Sequence, residues 1–374
     1  MKVKWVIFAV LAGFLVLLMN LNSVAVNTRD VDVVRKKEVL DSQDLTVIDD
    51  FVSEAVRELV RTRDFTSIAK VRTVILSRQS TQGQYAQQFS ESAYKHISAG
   101  LTQARTLKPD DRETKVTINL LILTDGLQDL RLADLAIGML KNKNMIVRYW
   151  AVHCLTNPGI IKQLNSADTS NSRAAEVIAE ELKELVESSN PEIIALIAKF
   201  AADVKIPQGE DLLGQTADVR IKRYADWTVK YELMDSVILK LLESKISAPS
   251  AGSSGPPPAT GSSKGAAARR FGQLYSYAIQ RYAKGQAFLS DIQKQQLASI
   301  LVETEEKCIS RLLGRPQTTI RRAIERENLP ALLQEHNRLL GDETRTGELA
   351  LRLNFNYGGG RTAPIPLPEP PRRN

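Results

Sequence analysis

Cysteine is almost missing from this chain. Its 374 residues hold two, Cys154 and Cys308. Two thiols so far apart build no disulfide framework, and no C-x-x-C or Cys/His cluster is present to bind zinc. Histidine is nearly as scarce, with only His96, His153 and His336, so any mechanism that needs an imidazole base has few places to act. No Asn stands in N-x-[ST], which fits a bacterial envelope better than a eukaryotic lumen. The chain up to residue 263 also lacks net charge. The overall +7 comes from residues 264–374, which carry 18 Lys and Arg against 11 Asp and Glu. A basic region of that kind points to an acidic partner such as nucleic acid or an anionic membrane surface. What is present is ordinary for a globular protein: 43% hydrophobic and 25% charged residues, enough for a core, at a length that implies two or three domains.

The longest apolar run lies at the start. Lys2 and Lys4 precede residues 5–19, which are uncharged and mostly apolar, and tolerated polar residues extend the run to Val26. The 22 residues from 5 to 26 would span about 33 Å as a helix, enough to cross a hydrocarbon core of ~30 Å. Two readings compete. One is an uncleaved signal anchor over residues 1–27, a single pass with the bulk of the chain extracytoplasmic (periplasmic). The other is a signal peptide cleaved near Ala25, where Ser23-Val24-Ala25 forms a small-x-small site. The length of the apolar run favours the anchor.

After a linker at 28–44, residues 45–247 read as helices throughout. Val47, Phe51, Ala55, Leu59 and Val60 share one helical face, and Asp64 caps a helix with Ile68, Val71, Val74 and Ile75 on its apolar side. An internal repeat at an offset of 46 aligns residues 129–155 with 175–201. It pairs Leu132 with Ile178, Ala133 with Ala179, Leu140 with Val186, Asn144 with Asn190, Val147 with Ile193, and Ala151 with Ile197. Each unit is a helix, a polar turn ending in Asn, and a second, more apolar helix. With Val147, Arg148, Ala151 and Leu155 in register, the first unit resembles a HEAT repeat of the armadillo-like class; the second departs from it, with Ile194 in the place of the Arg. The resemblance implies an all-α fold, a right-handed α-solenoid of stacked helical pairs. Further pairs are expected near 85–124 and 211–245.

Residues 248–265, APSAGSSGPPPATGSSKG, form a Pro/Gly/Ser-rich linker expected to be disordered. A separate basic helical region follows at 266–340, with helices near 267–284, 289–313 and 317–340. Residues 341–374 then hold a strand-like alternation of Leu349, Leu351, Leu353, Phe355 and Tyr357, and a proline-rich tail.

Few motifs hold up as chemistry. Cys154 and His153 are neighbours on a helix and point in different directions, so packing explains them better than nucleophilic catalysis. GSSKG at 261–265 matches G-x-S-x-G but has no strand before it. The S-x-x-K matches at Ser67/Lys70 and Ser92/Lys95 lack their companion motifs. No catalytic residue, metal or cofactor is assigned. The cluster Arg311, Arg315, Arg321, Arg322 and Arg326 reads either as a solvated helix face or as a contact for an anionic partner, lipid above all. The tail prolines read as a spacer or frayed end, or as a ligand for an aromatic groove.

The sequence thus points to a non-catalytic, membrane-anchored or exported helical-repeat scaffold for protein–protein interaction. Its protein partners would lie on the solenoid surface, and the membrane would hold its N-terminal helix. The competing readings are an exported envelope-polymer hydrolase with a helical fold, and a cytoplasmic nucleic-acid binder if the N-terminus is no export signal.

Overall fold

A computed structural model describes residues 26–80, 83–248 and 263–371. The expected anchor up to residue 25 and linker residues 249–262 lie outside the described residues. Among the described residues every regular element is helical, and no helix is long and apolar enough to cross a membrane. The chain divides into two compact units, Met1–Cys154 and Leu155–Asn374. The expected 45–247 domain is therefore split after Cys154.

Unit one contains α1 (Arg29–Val34), α2 (Ser42–Arg61), α3 (Phe65–Leu76), α4 (Gly83–Ala104), α5 (Asp110–Leu127) and α6 (Ala133–Ile137). A further helix, α7 (Met145–Leu155), runs up to the boundary. Local chemistry starts the helices. Asp41 accepts the Asp44 amide at 2.9 Å while the Asp44 carboxylate accepts the Asp41 amide at 3.1 Å, a reciprocal cap that opens α2. Asp64 accepts the Ser67 amide at 2.7 Å to open α3, as the sequence predicts. The core is the face of α2 that packs on α4 and α5. Ile48, Phe51, Val52, Ala55, Val56, Leu59 and Val60 are all buried. Each large aliphatic side chain among them contributes about 1.5–3 kcal/mol by leaving water.

Unit two runs through α8 (Pro158–Leu164), α9 (Thr169–Leu185), α10 (Pro191–Asp203), α11 (Pro207–Ala225) and α12 (Asp235–Ser247). After the linker come α13 (Ser263–Lys284), α14 (Asp291–Thr304), a π-helical turn (Glu305–Ile309), α15 (Ser310–Leu313), α16 (Thr319–Glu325), α17 (Leu329–Leu340) and α18 (Glu348–Leu353). Its centre is α13, buried continuously from Phe271 to Arg281. Helices α11 and α12 pack on α13 from one side of the linker, and α14 and α17 from the other. The basic region is therefore not a separate body. A linker that cannot bury its own surface says nothing about whether the helices it joins dock together. A Cβ on Gly272 would stand 2.7 Å from the Tyr357 hydroxyl oxygen, so glycine lets that ring approach the helix closely.

The strand-like segment is also corrected. Glu348–Leu353 is helical, and Asn354 at φ 50° ends it. Leu349 is 1% exposed but Leu351 is 68% exposed, so the alternation has no single buried face. With no partner strand at hand, a helix satisfies the backbone polar groups locally.

The repeat units appear as helical pairs. Leu132 and Ile178, Leu140 and Val186, Val147 and Ile193, and Ala151 and Ile197 are all buried to 1% exposure or less. Asn144 accepts the Ile146 amide at 2.9 Å, and Asn190 accepts the Ile193 amide at 3.0 Å, so both turn asparagines cap the second helix. Arg148 donates to the carbonyls of Asn142 and Lys143, tying down the turn. Its counterpart Ile194 is fully buried and packs instead.

Candidate basic cleft in the second unit

The π-helical turn is the device that positions the predicted arginines. It turns Glu305 inward, where its side chain is fully buried. The carboxylate accepts the backbone amides of Ile320 at 2.7 Å and Arg321 at 2.8 Å, and the Thr319 hydroxyl at 3.3 Å. Thr318 itself does not cap α16, so Glu305 supplies the anionic cap from another element. What the sequence reads as one helix at 317–340 is two. Glu327 sits at φ 51°, and Asn328 caps α17, with Pro330 in its first turn.

The five predicted arginines are divided by this geometry. Arg311 donates to the buried Glu243 at 2.9 Å. Arg315 pairs with Glu348, and Arg321 with Glu306. Those three cations are answered within the fold. Arg322 and Arg326 instead line a cleft of about 630 Å³ between α16, α17 and the turn at 342–345, together with Arg338 and Arg345. Arg338 is neutralised by Glu335 and Glu348, and it donates to Gln317 at 2.9 Å. Asp342, the other acid on the cleft, accepts from the Thr344 hydroxyl and from the amides of Thr344 and Arg345. Those bonds hold its carboxyl below the ordinary range. The guanidiniums of Arg322, Arg326 and Arg345 make no hydrogen bond or ion pair among the described residues and are exposed. Sequence reasoning missed Arg345, which stands alone in GDETRTGE. Asp342 and Thr344, one residue apart, form the turn that presents it.

A second arrangement escaped the sequence entirely. Ser276 Oγ lies 2.8 Å from His336 Nε2, and His336 Nδ1 lies 2.8 Å from Asn337 Oδ1. Burial lowers the His336 pKa, opposed by the bond to Asn337. The ring is therefore neutral, with Nδ1–H donating to Asn337 and Nε2 accepting from the serine. The hydroxyl also accepts from Gln280 Nε2 at 2.8 Å, and Ser276 has no exposed surface. A nucleophile needs a reacting carbon within about 3 Å of its oxygen, and this hydroxyl has no room for one. The chain of bonds fixes the Gln280 amide instead.

The His153–Cys154 pair behaves as packing. Cys154 is buried and donates to the Leu121 carbonyl at 3.2 Å, and burial pushes its thiol pKa upward. His153 Nδ1 lies 2.9 Å from Asp125 Oδ1, away from the sulfur. No group of three His, Cys, Asp or Glu side chains among the described residues is arranged to hold a metal ion. No family model matches the chain, and no curated protein matches it.

Proposed function

We propose that this chain is a non-catalytic scaffold at the cell envelope, held by its N-terminal segment, binding proteins on its HEAT-like helical pairs and an anionic membrane surface at the basic cleft. The cleft carries this reading. Three unpaired guanidiniums converge on one opening, while every other cation of the predicted cluster is spoken for internally. Three exposed guanidiniums that line one cleft without a hydrogen bond or ion pair in the fold favour an external anion. The matched burial of the two repeat units and their two capping asparagines support the helical-pair part.

The test uses the chain from Thr28 onward and vesicles with and without anionic lipid. Binding to anionic vesicles should appear near 0.1 M salt and vanish near 1 M, as the Debye length falls from ~10 Å to ~3 Å. Arg322→Glu with Arg326→Glu should weaken it by more than about thirtyfold, since each cation near such a surface contributes about 1 kcal/mol. Arg105→Glu, on exposed surface of unit one, should leave it unchanged. Duplex DNA run alongside should bind more weakly than vesicles. No vesicle binding at low salt, or equal loss from both charge reversals, would sink the proposal.

A further inference from the structure

The proline-rich tail does not fray. Residues 364–371 belong to no helix or strand, run along α13 and are held there by side chains. Pro364 and Leu367 are buried and Pro370 is half-buried, whereas positions 365, 366, 368 and 369 are exposed. A burial period of three is that of a polyproline II helix, which turns once every three residues and forms no internal hydrogen bonds.

The groove supplies the bonds that such a helix lacks. Gln273 brackets Ile365, accepting its amide at 2.8 Å and donating to its carbonyl at 2.9 Å. Gln280 accepts the Leu367 amide at 2.8 Å, and Lys284 donates to the Leu367 carbonyl at 2.7 Å. Trp227 donates its indole N–H to the Pro368 carbonyl at 3.0 Å. The alternating prolines of PIPLP leave backbone donors only at Ile365 and Leu367, and both are met by glutamine oxygens. Gln273, Gln280 and Lys284 stand seven and four residues apart on α13, one face of the helix. Lys284 also pairs with Glu369 at 2.7 Å.

This face is held in shape by groups outside the tail. The Ser276–His336 chain orients the Gln280 amide. Arg281 lies 5.2 Å from the centre of the Trp227 ring and is itself paired with the buried Glu232 at 3.1 Å. A pre-shaped surface whose specificity rests on backbone donors two residues apart, one buried leucine and one acid two residues later is a peptide-recognition site. We propose that the α13 groove binds the proline-rich segment of a partner protein, with P-x-x-L spacing and an acid two residues after the leucine, and that the chain's own tail is its exchangeable occupant. Two buried side chains hold the tail, and residues 364–371 belong to no helix, so it can leave without unravelling one. A second copy's tail would gain nothing over the tethered one, whereas a partner with contacts elsewhere can displace it. This proposal is independent of the basic cleft.

The experiment uses the full chain and a fluorescent peptide copying residues 362–374. Leu367→Glu puts a charge into the buried pocket and should release the tail, so that this variant binds the peptide with saturable anisotropy. The unmodified chain should bind roughly tenfold more weakly or worse, because its tethered tail competes at an effective concentration of ~1 mM. Gln280→Ala added to the Leu367→Glu chain should abolish binding, as should the leucine-to-glutamate change in the peptide. If Leu367→Glu loses helical circular dichroism, Ile365→Pro, which removes one amide donor without adding charge, takes its place and should open the groove in the same way. Failure of a folded, tail-released variant to bind the peptide, or binding that Gln280→Ala leaves intact, overturns the proposal.

Discussion

The two units differ in where they keep their charges. In unit one the ion pairs keep at least one partner in or near solvent, even Lys37–Asp44, whose lysine is 42% and aspartate 5% exposed. The Lys115–Asp111 side chains are 51% and 62% exposed, and Lys95 in the Lys95–Asp49 pair is 64% exposed. In unit two Arg220 and Asp235 are 1% and 0% exposed, with Arg220 Nε and Nη2 on the two carboxylate oxygens at 2.5 and 2.9 Å. Tyr224 donates to the same carboxylate at 2.8 Å. Arg281 and Glu232 are buried beside them. Burial opposes the Arg220 charge and Asp235 more than restores it, so the guanidinium pKa lies above its ordinary value. Both units are held by apolar contact, and unit two adds to its core a few buried directional bonds, among which Arg281 also lies against Trp227 of the tail groove. Buried charge of this kind is poor value for stability and better suited to fixing one geometry.

The sharpest way to break this contrast is Asp235→Ala. It leaves Arg220 buried and uncompensated, with Nη1 already lacking a partner, and should cost unit two about 3–5 kcal/mol. Urea unfolding followed by Trp227 fluorescence, with Trp5 and Trp150 replaced by phenylalanine, measures it. Asp111→Ala in unit one should leave stability unchanged within error, as exposed pairs do. A cost below about 1 kcal/mol for Asp235→Ala would show the network to be incidental.

That network marks the limit of what the residues alone disclose. Helix starts were legible where the signal is local: Asp64 and the turn asparagine Asn190 both open helices. The helical character of residues 45–247 was legible too, because it rests on apolar spacing. The burial of Arg220, Arg281 and Glu305 was not. An arginine on a helix reads as surface until its carboxylate, 15 or 49 residues away in the chain, is brought to it. The same holds for the arginine cluster: spacing located it, but only the fold shows that Glu243, Glu306 and Glu348 answer three of its members. The docked tail was missed because its partners are side chains 83 to 141 residues distant in the chain.

A smaller effect distinguishes the units by pH. His96 and His153 of unit one each lie 2.9 Å from a carboxylate. His336 of unit two is buried against Ser276 and a neutral amide, and burial holds its pKa below the ordinary histidine value of about 6.5. The unfolded chain therefore binds the proton first as pH falls. The stability that neutral His336 contributes is complete above about pH 6.5 and is lost progressively below it, by at most ~1.4 kcal/mol per pH unit. The urea midpoint read by Trp227 should drop between pH 7.5 and 5.5, and His336→Gln should flatten that dependence. A midpoint that stays constant in the unmodified chain would mean that the ring takes its proton without disturbing the Ser276–Gln280 chain.

The smallest effect comes from the cysteines, one in each unit. Cys154 and Cys308 are 4% and 1% exposed. Burial pushes both thiols up, Cys308 to about 12, so neither supplies thiolate near neutral pH while folded. Cys154→Ala removes only a sulfur and its bond to Leu121, and should cost about 1 kcal/mol. In the native chain both thiols should resist alkylation, and each becomes reactive only when its own unit opens. The pair therefore reports on the units separately. Asp235→Ala should speed alkylation of Cys308 by roughly a hundredfold or more, since each 1.4 kcal/mol of lost stability is about tenfold in the open population, and should leave the Cys154 rate as it was. If both rates rise together, the two units unfold as one, and the division after Cys154 has no energetic meaning. If Cys154 reacts rapidly in the unmodified chain, its place inside unit one is wrong, and the neighbouring His153 must be reconsidered as its base.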